Sequence, residues 1–356
     1  MENIQGNRKD TLIANSWYEL DYGLALSAFA EYKVIQQIGL KPILLKRPNN
    51  LVEEHGDYKG SITGAFIDCY CEIEEDEYCQ QYKNFISGAG RVWSYEKCLK
   101  GTNGTFLGDS LINETNKVAW APTFESTQME EVIYEDSTKI EKSLKAFDNI
   151  VVRNSTDIGI CQNVLKITAR QMLDPVFLCD EGEYAKIANT SLDNIDGAYM
   201  FSYIENGNAR IKKYIETGLQ IKSLTSKLYV DIGHFVESSV SLGMPISEYL
   251  MVEDWLHSIR ESAFVVTDSY YGACFAILFN KPLIVISTKD FRANNELEEL
   301  LSWFGLEERF VRCDEFHDMK DYTYLFRKDI DYAKVNEKLD RLKCETRQWL
   351  DSVIIK

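Results

Sequence analysis

The sequence predicts an α/β protein in two halves, each built on a parallel sheet. Short apolar runs alternate with segments of helical periodicity, first from residue 11 and again from about residue 149. The chain has 356 residues, more than two typical domains of ~150, and 45% of them are hydrophobic, enough to fill two cores.

The elements follow in order. TLIA (11–14) reads as the first strand and PILLK (42–46) as the second. Between them GLALSAFAEYKVIQQIG (23–39) spaces its apolar residues helically and stops at Gly39, so the three form a β-α-β unit. Residues 50–80 are acidic and mixed and read as helix with loops. Strands follow at NFIS (84–87) and KVAWAP (117–122). NIVVR (149–153) opens the second series, with a helix starting at Ser155 as its capping residue. Further strands at 197–204, 227–231, 263–268 and 282–287 alternate with helices near 207–219, 252–261, 272–280 and 293–304. The expected domains are 1–145 and 146–330, joined near the charged segment 138–148. The tail, 331–356, aligns Val335, Leu339, Leu342, Trp349, Leu350 and Val353 on one stripe. It is expected as an amphipathic helix packed on the body and able to cross between the domains.

Charge and cysteine content narrow the function classes. The formal net charge is -17, and no Lys/Arg run offsets it, which disfavours a nucleic-acid binder. An anionic ligand must then be held by a few local cations or by helix N-termini. The nine cysteines are odd in number and form no C-x-x-C pair, as in a reduced cytosolic protein. Cys69, Cys71, Cys79 and His55 could be imagined as a zinc site, but C-x-C spacing suits tetrahedral ligation poorly, and no metal is expected. The start, MENIQGNRKD, is polar, and no apolar run approaches the ~20 residues of a membrane span.

Ligands of open α/β sheets sit outside the carboxyl ends of strands, which selects the loops 15–23, 87–93, 153–157, 268–272 and 287–292. In TDSYYGACFAILFNKP (267–282), Asp268 or Ser269 can cap a helix, and Gly272 can admit a ligand close to the backbone. A plain cap and tight turn explains the same residues equally well. Arg153 ends an apolar strand and can clamp a carboxylate or phosphate, or pair with Asp148 or Asp157 at the surface. GAGRVW (88–93) is a glycine-rich turn in which Arg91 could supply charge, although a plain turn is the better reading. Lys289 and Arg292 are further anion candidates. His234 and His257 have no motif around them and are expected to be structural or exposed.

Taken in order, these segments resemble the polysaccharide pyruvyl transferase family. DYGLALSAFAEYKVIQQIGLKPILL (21–45) is similar to that family's N-Y-G loop, helix and strand. FISGAGRVWS (85–94) is similar to its F-I-x-G-S-D-Q-x-W-N, and KVAWAPTFES (117–126) to its K-x-x-Y-A-A-S-F-G. VVRNS (151–155) and LDPVFL (173–178) resemble its V-R-E-x and L-D-P-T-L-L. DWLHSIRESAFVVTDSYYGACFAILFNKPLI (254–284) resembles its long segment around T-D-S-F-H-G, and FRANNELEELLSWFGLEERFV (291–311) its R-x-x-x-L-L-x-x-L-G-L-x-x-R.

The resemblance implies a GT-B-like architecture of two Rossmann-like domains facing a cleft. It implies transfer of the enolpyruvyl unit of phosphoenolpyruvate to a lipid-linked or nucleotide-linked sugar, as a ketal, in the cytoplasm of bacteria at the inner face of the membrane. No cofactor beyond that co-substrate is implied. By match, Arg153, Tyr271 and Ser269 are the catalytic positions. Asp268, Gly272, Lys289 and Arg292 fall on the donor side, and Asp21, Gly23 and Arg91 on the acceptor side. Two departures stand out. The family's histidine in T-D-S-F-H-G is Tyr271, whose phenol has an ordinary pKa of about 10 and donates a proton less readily. The family's S-D-Q is Ala89, Gly90 and Arg91. A glycosyltransferase-like enzyme with a nucleotide-sugar donor, and a non-catalytic family member, are the alternatives.

Overall fold

The computed structural model describes residues 10–46, 61–74, 82–94, 104–109, 111, 114–124, 140–192, 197–230, 251–313 and 318–355. Its first sheet contains β1 (Thr11–Ala14), β2 (Pro42–Leu44), β3 (Asn84–Ser87), β4 (Asn116–Trp120), β5 (Asn149–Val152) and β6 (Arg170–Gln171), in the order β2-β1-β3-β4-β5-β6. Its second contains β7 (Tyr199–Ile204), β8 (Thr225–Val230), β9 (Phe264–Thr267), β10 (Leu283–Ile286) and β11 (Phe310–Val311), in the order β11-β10-β9-β7-β8. Every pairing is parallel. Parallel strands are covered on both faces, which is why TLIA, NFIS, FVVT and LIVI are buried at every residue instead of alternating.

The two sheets share one winding rule. In each, the second strand lies outside the first, and the third starts the run to the other edge. A single switch point results, between β1 and β3 in one sheet and between β7 and β9 in the other. Crevices open outside the carboxyl ends at such points.

The helices are α1 (Tyr22–Gln37), α2 (Ile62–Tyr70), α3 (Ser155–Gly159), α4 (Glu181–Ala188), α5 (Ala209–Lys222), α6 (Val252–Glu261), α7 (Tyr270–Leu278), α8 (Phe291–Phe304) and α9 (Tyr332–Val353). α3 runs directly into a π-helical turn, Ile160–Val164. Its cap is Asn154, not Ser155: Asn154 is extended, and its side chain accepts from the Asp157 N–H at 2.8 Å. α7 starts at Tyr270, two residues before the expected start, so both tyrosines lie in its first turn.

The chain divides into two units. One comprises Met1–Glu19, Leu24–Cys179 and Leu342–Lys356, and the other Leu20–Gly23 and Asp180–Arg341. The expected junction near 138–148 is therefore displaced to Cys179. β5, expected to open the second series, pairs with β4 through Ala119 and Ile150, and β6 pairs with β5. The charged run at 138–148 lies between two strands of one sheet, since surface charge marks a linker of either kind. Arg153 consequently belongs to the first unit.

The tail is helical as expected, and its residues are shared. Those up to Arg341 group with the second unit and those from Leu342 with the first. In the first unit Trp349 packs edge-on to Trp120, with ring centroids 6.5 Å apart. Asn84 donates to the Ile355 carbonyl at 2.8 Å and accepts from the Ile355 N–H at 2.9 Å, while Asn116 donates to the Val353 carbonyl at 2.9 Å. In the second unit the fully buried Arg309 donates to the carbonyls of Leu325, Lys328 and Asp329.

His257 faces the Ala188 carbonyl at 3.0 Å across α4 and α6, a structural role. His234, His55 and Cys79 lie outside the described residues. Among the described residues no helix is long and apolar enough to cross a membrane, and no group of three or more His, Cys, Asp or Glu is placed to hold a metal ion.

Asn84→Ala would leave the Ile355 N–H and carbonyl without this partner at a partly buried position. A loss of about 2 kcal/mol in unfolding free energy is expected by urea titration. A change within error would mean that the asparagine grip on the tail contributes nothing.

Candidate functional site

At the switch point of the first sheet, Asn15 follows β1 and Gly88–Ala89 follows β3. Both are held by Glu31, a residue in the middle of α1 that is completely buried. The Glu31 carboxyl accepts from the Ala89 N–H at 2.5 Å and from Asn15 Nδ2 at 2.9 Å. Asn15 Nδ2 also lies 3.3 Å from the Ala89 carbonyl, so the three groups close a small network. Gly88 is required here, because a Cβ would sit 2.4 Å from Glu31 Oε2. Burial pushes the Glu31 pKa up to about 8, and the Asp174 carboxylate adds to the rise; the hydrogen bonds from Ala89 and Asn15 offset only part of it. Glu31 is thus a neutral acid near pH 7.

The rest of that turn is also fixed by backbone geometry. Gly90 has φ +90°, a conformation reserved for glycine, and the short turn Arg91–Trp93 follows. Trp93 Nε1 donates to Ser87 Oγ at 2.9 Å, which anchors the turn to β3. Arg91 itself is exposed. Ala121, just past β4, has φ +60° without being glycine, a strained residue at the carboxyl edge of the same sheet.

Arg153 follows β5, and its side chain is only 6% exposed. One of its counter-ions is an acid the sequence did not single out. Asp148 accepts from the Lys117 N–H at 3.0 Å, and Asp157 is engaged by Asn154 Nδ2 at 2.7 Å. Arg153 Nη1 lies 3.6 Å from Oδ2 of Asp174, a fully buried carboxylate whose Oδ1 accepts from the Val176 N–H at 3.1 Å. Asp174 in turn acts on Glu31. Two buried networks result, Arg153 with Asp174 and Glu31 with Asn15 and Ala89.

The switch point of the second sheet carries a parallel device. Asp268, after β9, accepts from the N–H groups of Glu205 and Asn206, after β7, at 2.7 and 2.8 Å. Burial raises its pKa, and these bonds oppose the rise. Asp268 thus ties two loops together instead of capping α7. Ser269 occupies the cap position, but its hydroxyl makes no capping bond. Gly272 was expected to admit a ligand; a Cβ there would lie 2.6 Å from Thr267 Oγ1. That hydroxyl donates to the Tyr203 carbonyl at 2.8 Å and accepts from the Ser269 N–H at 3.1 Å, so Gly272 makes room for the turn's own frame.

Tyr271 is buried, and its ring covers Gly23: a Cβ on Gly23 would fall 2.2 Å from the ring carbons Cγ and Cδ2. Asp21 shapes that contact, accepting from the Gly23 N–H at 2.7 Å at the start of α1. Tyr22 stacks on Trp255 at 5.6 Å and 17°. The structure therefore brings Asp21 and Gly23 together with Asp268, Ser269, Tyr271 and Gly272 in the second unit. Lys289 is exposed, and Arg292 is half-buried in the first turn of α8. The Asp290 carboxylate already accepts the Arg292 N–H, at 2.8 Å, where an anion would bind. Arg91 and Arg153 lie in the first unit. Sequence reasoning missed Glu31, Asp174 and Thr267; the available signal for Glu31 was one acid inside an otherwise apolar helical run.

Two expectations follow. Folded Glu31 holds its proton while the unfolded chain has already released its own near 4.5. Stability from this group is full below about 4.5 and falls by ~1.4 kcal/mol per pH unit until about 8. Urea titrations at pH 5 to 8 should show that slope flattened in Glu31→Gln, which is the more stable protein at pH 8. Gly23→Ala should lose at least ~2 kcal/mol through overlap with the Tyr271 ring. Tyr271→Ala in the same chain should recover part of that loss, and a strictly additive double variant would dismiss the contact.

No curated protein matches the chain in sequence. In fold it is similar to the S. aureus MnaA–UDP co-structure, at 12% identity over 98% of each chain, with a TM-score of 0.55. It is also similar to UDP-GlcNAc 2-epimerase from Neisseria meningitidis bound to UDP-GlcNAc, at 8% identity over 94% of each chain, with a TM-score of 0.50. At those identities the likeness concerns the α/β fold of two Rossmann-like sheets alone. The polysaccharide pyruvyl transferase family model matches residues 27–290, which takes in Glu31, Arg153, Asp174 and the 268–272 turn. The chain belongs to the polysaccharide pyruvyl transferase family.

Proposed function

We propose that this protein transfers the pyruvyl unit of phosphoenolpyruvate to two hydroxyls of one sugar residue. In that reaction C2 of the donor gains two C–O bonds to sugar oxygens and loses its bond to the phosphate oxygen. One hydroxyl proton ends on the methylene carbon, which becomes a methyl group, and the other leaves with the phosphate. The sugar is carried on a lipid or a nucleotide, and the product is a bacterial surface-glycan precursor made at the inner face of the membrane.

The family match over residues 27–290 carries this reading. Two features favour an anionic donor in a chain of net charge -17. Arg153 is a largely buried cation at a strand's carboxyl end, where its planar fork suits a carboxylate or phosphate. The first turn of α7, at 269–272, presents backbone N–H groups and the positive end of the helix dipole. Arg153, Ser269 and Tyr271 are the proposed catalytic positions. Asp268 and Gly272 frame the turn, Lys289 and Arg292 are auxiliary cations, and Asp21, Gly23 and Arg91 lie toward the acceptor. A second reading, a nucleotide-sugar enzyme, draws on the UDP and UDP-GlcNAc bound in the two similar structures.

Thermal-shift titrations with phosphoenolpyruvate and with UDP separate the two. Phosphoenolpyruvate at a hundred times its dissociation constant should add about 2.7 kcal/mol of stability. Arg153→Lys, which keeps a charge beside Asp174, should weaken that binding about tenfold or more by losing the fork. Stabilisation by UDP alone would transfer the assignment to nucleotide-sugar chemistry.

A further inference from the structure

We propose that a cavity beside the amino end of β5 and the start of β6 is a second anion site, and that it takes a phosphorylated small molecule with a ring or a short apolar body. The site lies away from the strand carboxyl ends and does not depend on the donor proposed for them.

The cavity has a volume of about 340 Å³, within the range of small-molecule sites, which begins near ~300 Å³. Lys145 and Asp148 line it from the segment that leads into β5, and Lys166, Ile167 and Arg170 from the segment that leads into β6. Trp349 of α9 completes it, and all six residues belong to the first unit. Arg153 follows β5, so the length of that strand separates it from Lys145 and Asp148. Ile167 and Trp349 are buried and form an apolar floor. The Trp349 ring is held there by its edge-on contact with Trp120.

The rim inverts the charge of the chain. Acids outnumber bases 56 to 39 in the sequence, yet the cavity is lined by the three cations Lys145, Lys166 and Arg170 and by one acid, Asp148. Asp148 already accepts the Lys117 N–H at 3.0 Å. All three cations are exposed. Lys145 pairs with Glu141 one helical turn away, a surface contact that holds it weakly. Lys166 follows the π-helical turn at φ +55°, a left-handed position where glycine is the usual residue. A lysine there costs the backbone some strain and sets a charge at the rim, with Nζ donating to the Asn163 carbonyl at 2.7 Å. Two ammonium groups and one guanidinium fork suit the oxygens of a phosphoryl group. The apolar floor rewards a body attached to that phosphate, so a phosphate ester should bind more tightly than the free ion.

The test is isothermal titration of the full-length protein with glucose 1-phosphate and with inorganic phosphate, beside co-sedimentation with phosphatidylglycerol vesicles. Glucose 1-phosphate should bind more tightly than inorganic phosphate. Its dissociation constant should rise about tenfold or more in Lys166→Gly and in Arg170→Ala, and stay within error in Arg153→Lys. Glycine suits the left-handed backbone at 166, so Lys166→Gly should unfold as cooperatively as the natural protein, and its lost binding is then not lost folding. If Arg170→Ala does not fold, Lys166→Gly decides alone. Binding that Arg153→Lys weakens and the other two variants leave unchanged would place the ligand at the strand carboxyl ends and overturn the proposal. Absence of binding by glucose 1-phosphate overturns it as well. Attachment to vesicles without binding of glucose 1-phosphate would assign the three cations to a lipid surface instead.

Discussion

A carboxyl group taken out of water and bonded to two loops at once is the interaction on which both strand-end sites depend. At a switch point the adjacent strands send their connections in opposite directions, so no helix fixes the spacing of the two turns. Here Glu31 does so for the turns after β1 and β3, and Asp268 for those after β7 and β9. Burying a charge costs more than burying a neutral amide, and that cost is recovered only through the hydrogen bonds the carboxyl receives. The arrangement selects the small residues around it. Gly88 clears Glu31, and Gly272 clears the Thr267 hydroxyl that braces the same turn as Asp268.

Much of this was legible in the sequence. Mostly apolar runs became parallel strands within a residue or two of their expected limits, because a strand buried on both faces admits a polar side chain only where a hydrogen-bond partner meets it, as at Asn84, Ser87 and Thr267. Arg153 could be singled out because a cation ending an apolar strand has one place to go. Its partner could not, since Asp174 is brought there by tertiary folding and its local signal, D-P, describes only a cap. The unit boundary was misjudged because the run at 138–148 is as charged as a linker, while the pairing of Ile150 with Ala119 is invisible locally. Glu31 escaped because one acid in an amphipathic reading is assigned to the wet face, and α1 is buried along most of its length. Gly272 and Asp268 carried the right residue types for a phosphate-binding turn, and the same types serve a turn that braces itself.

Tyr271 takes on a different meaning once its packing is known. Read as a replacement for the family's histidine, it marks a lost proton donor. In the fold its ring is the lid over Gly23, and Asp21 holds the Gly23 N–H in place beneath it. A residue so placed supports the contact between the start of α1 and the start of α7 whether or not it moves a proton. Its presence therefore argues neither for chemistry nor against it, and the proton question passes to other acids.

The two bridging carboxyls differ in the donors they receive, and so in the side of neutrality on which each titrates. Asp268 receives two backbone N–H groups from consecutive residues, a pocket that favours the ionised form. Glu31 receives one backbone N–H and one side-chain amide, and the Asp174 carboxylate adds to the rise of its pKa. Desolvation is opposed by more hydrogen bonds in the first case than in the second, so burial carries Asp268 to about 6 and Glu31 to about 8. Asp268 is then mostly ionised and Glu31 mostly protonated at pH 7, and the two groups bracket neutrality. A pH response of the strand-end turns therefore has two sources, Asp268 on the acid side of neutrality and Glu31 on the alkaline side.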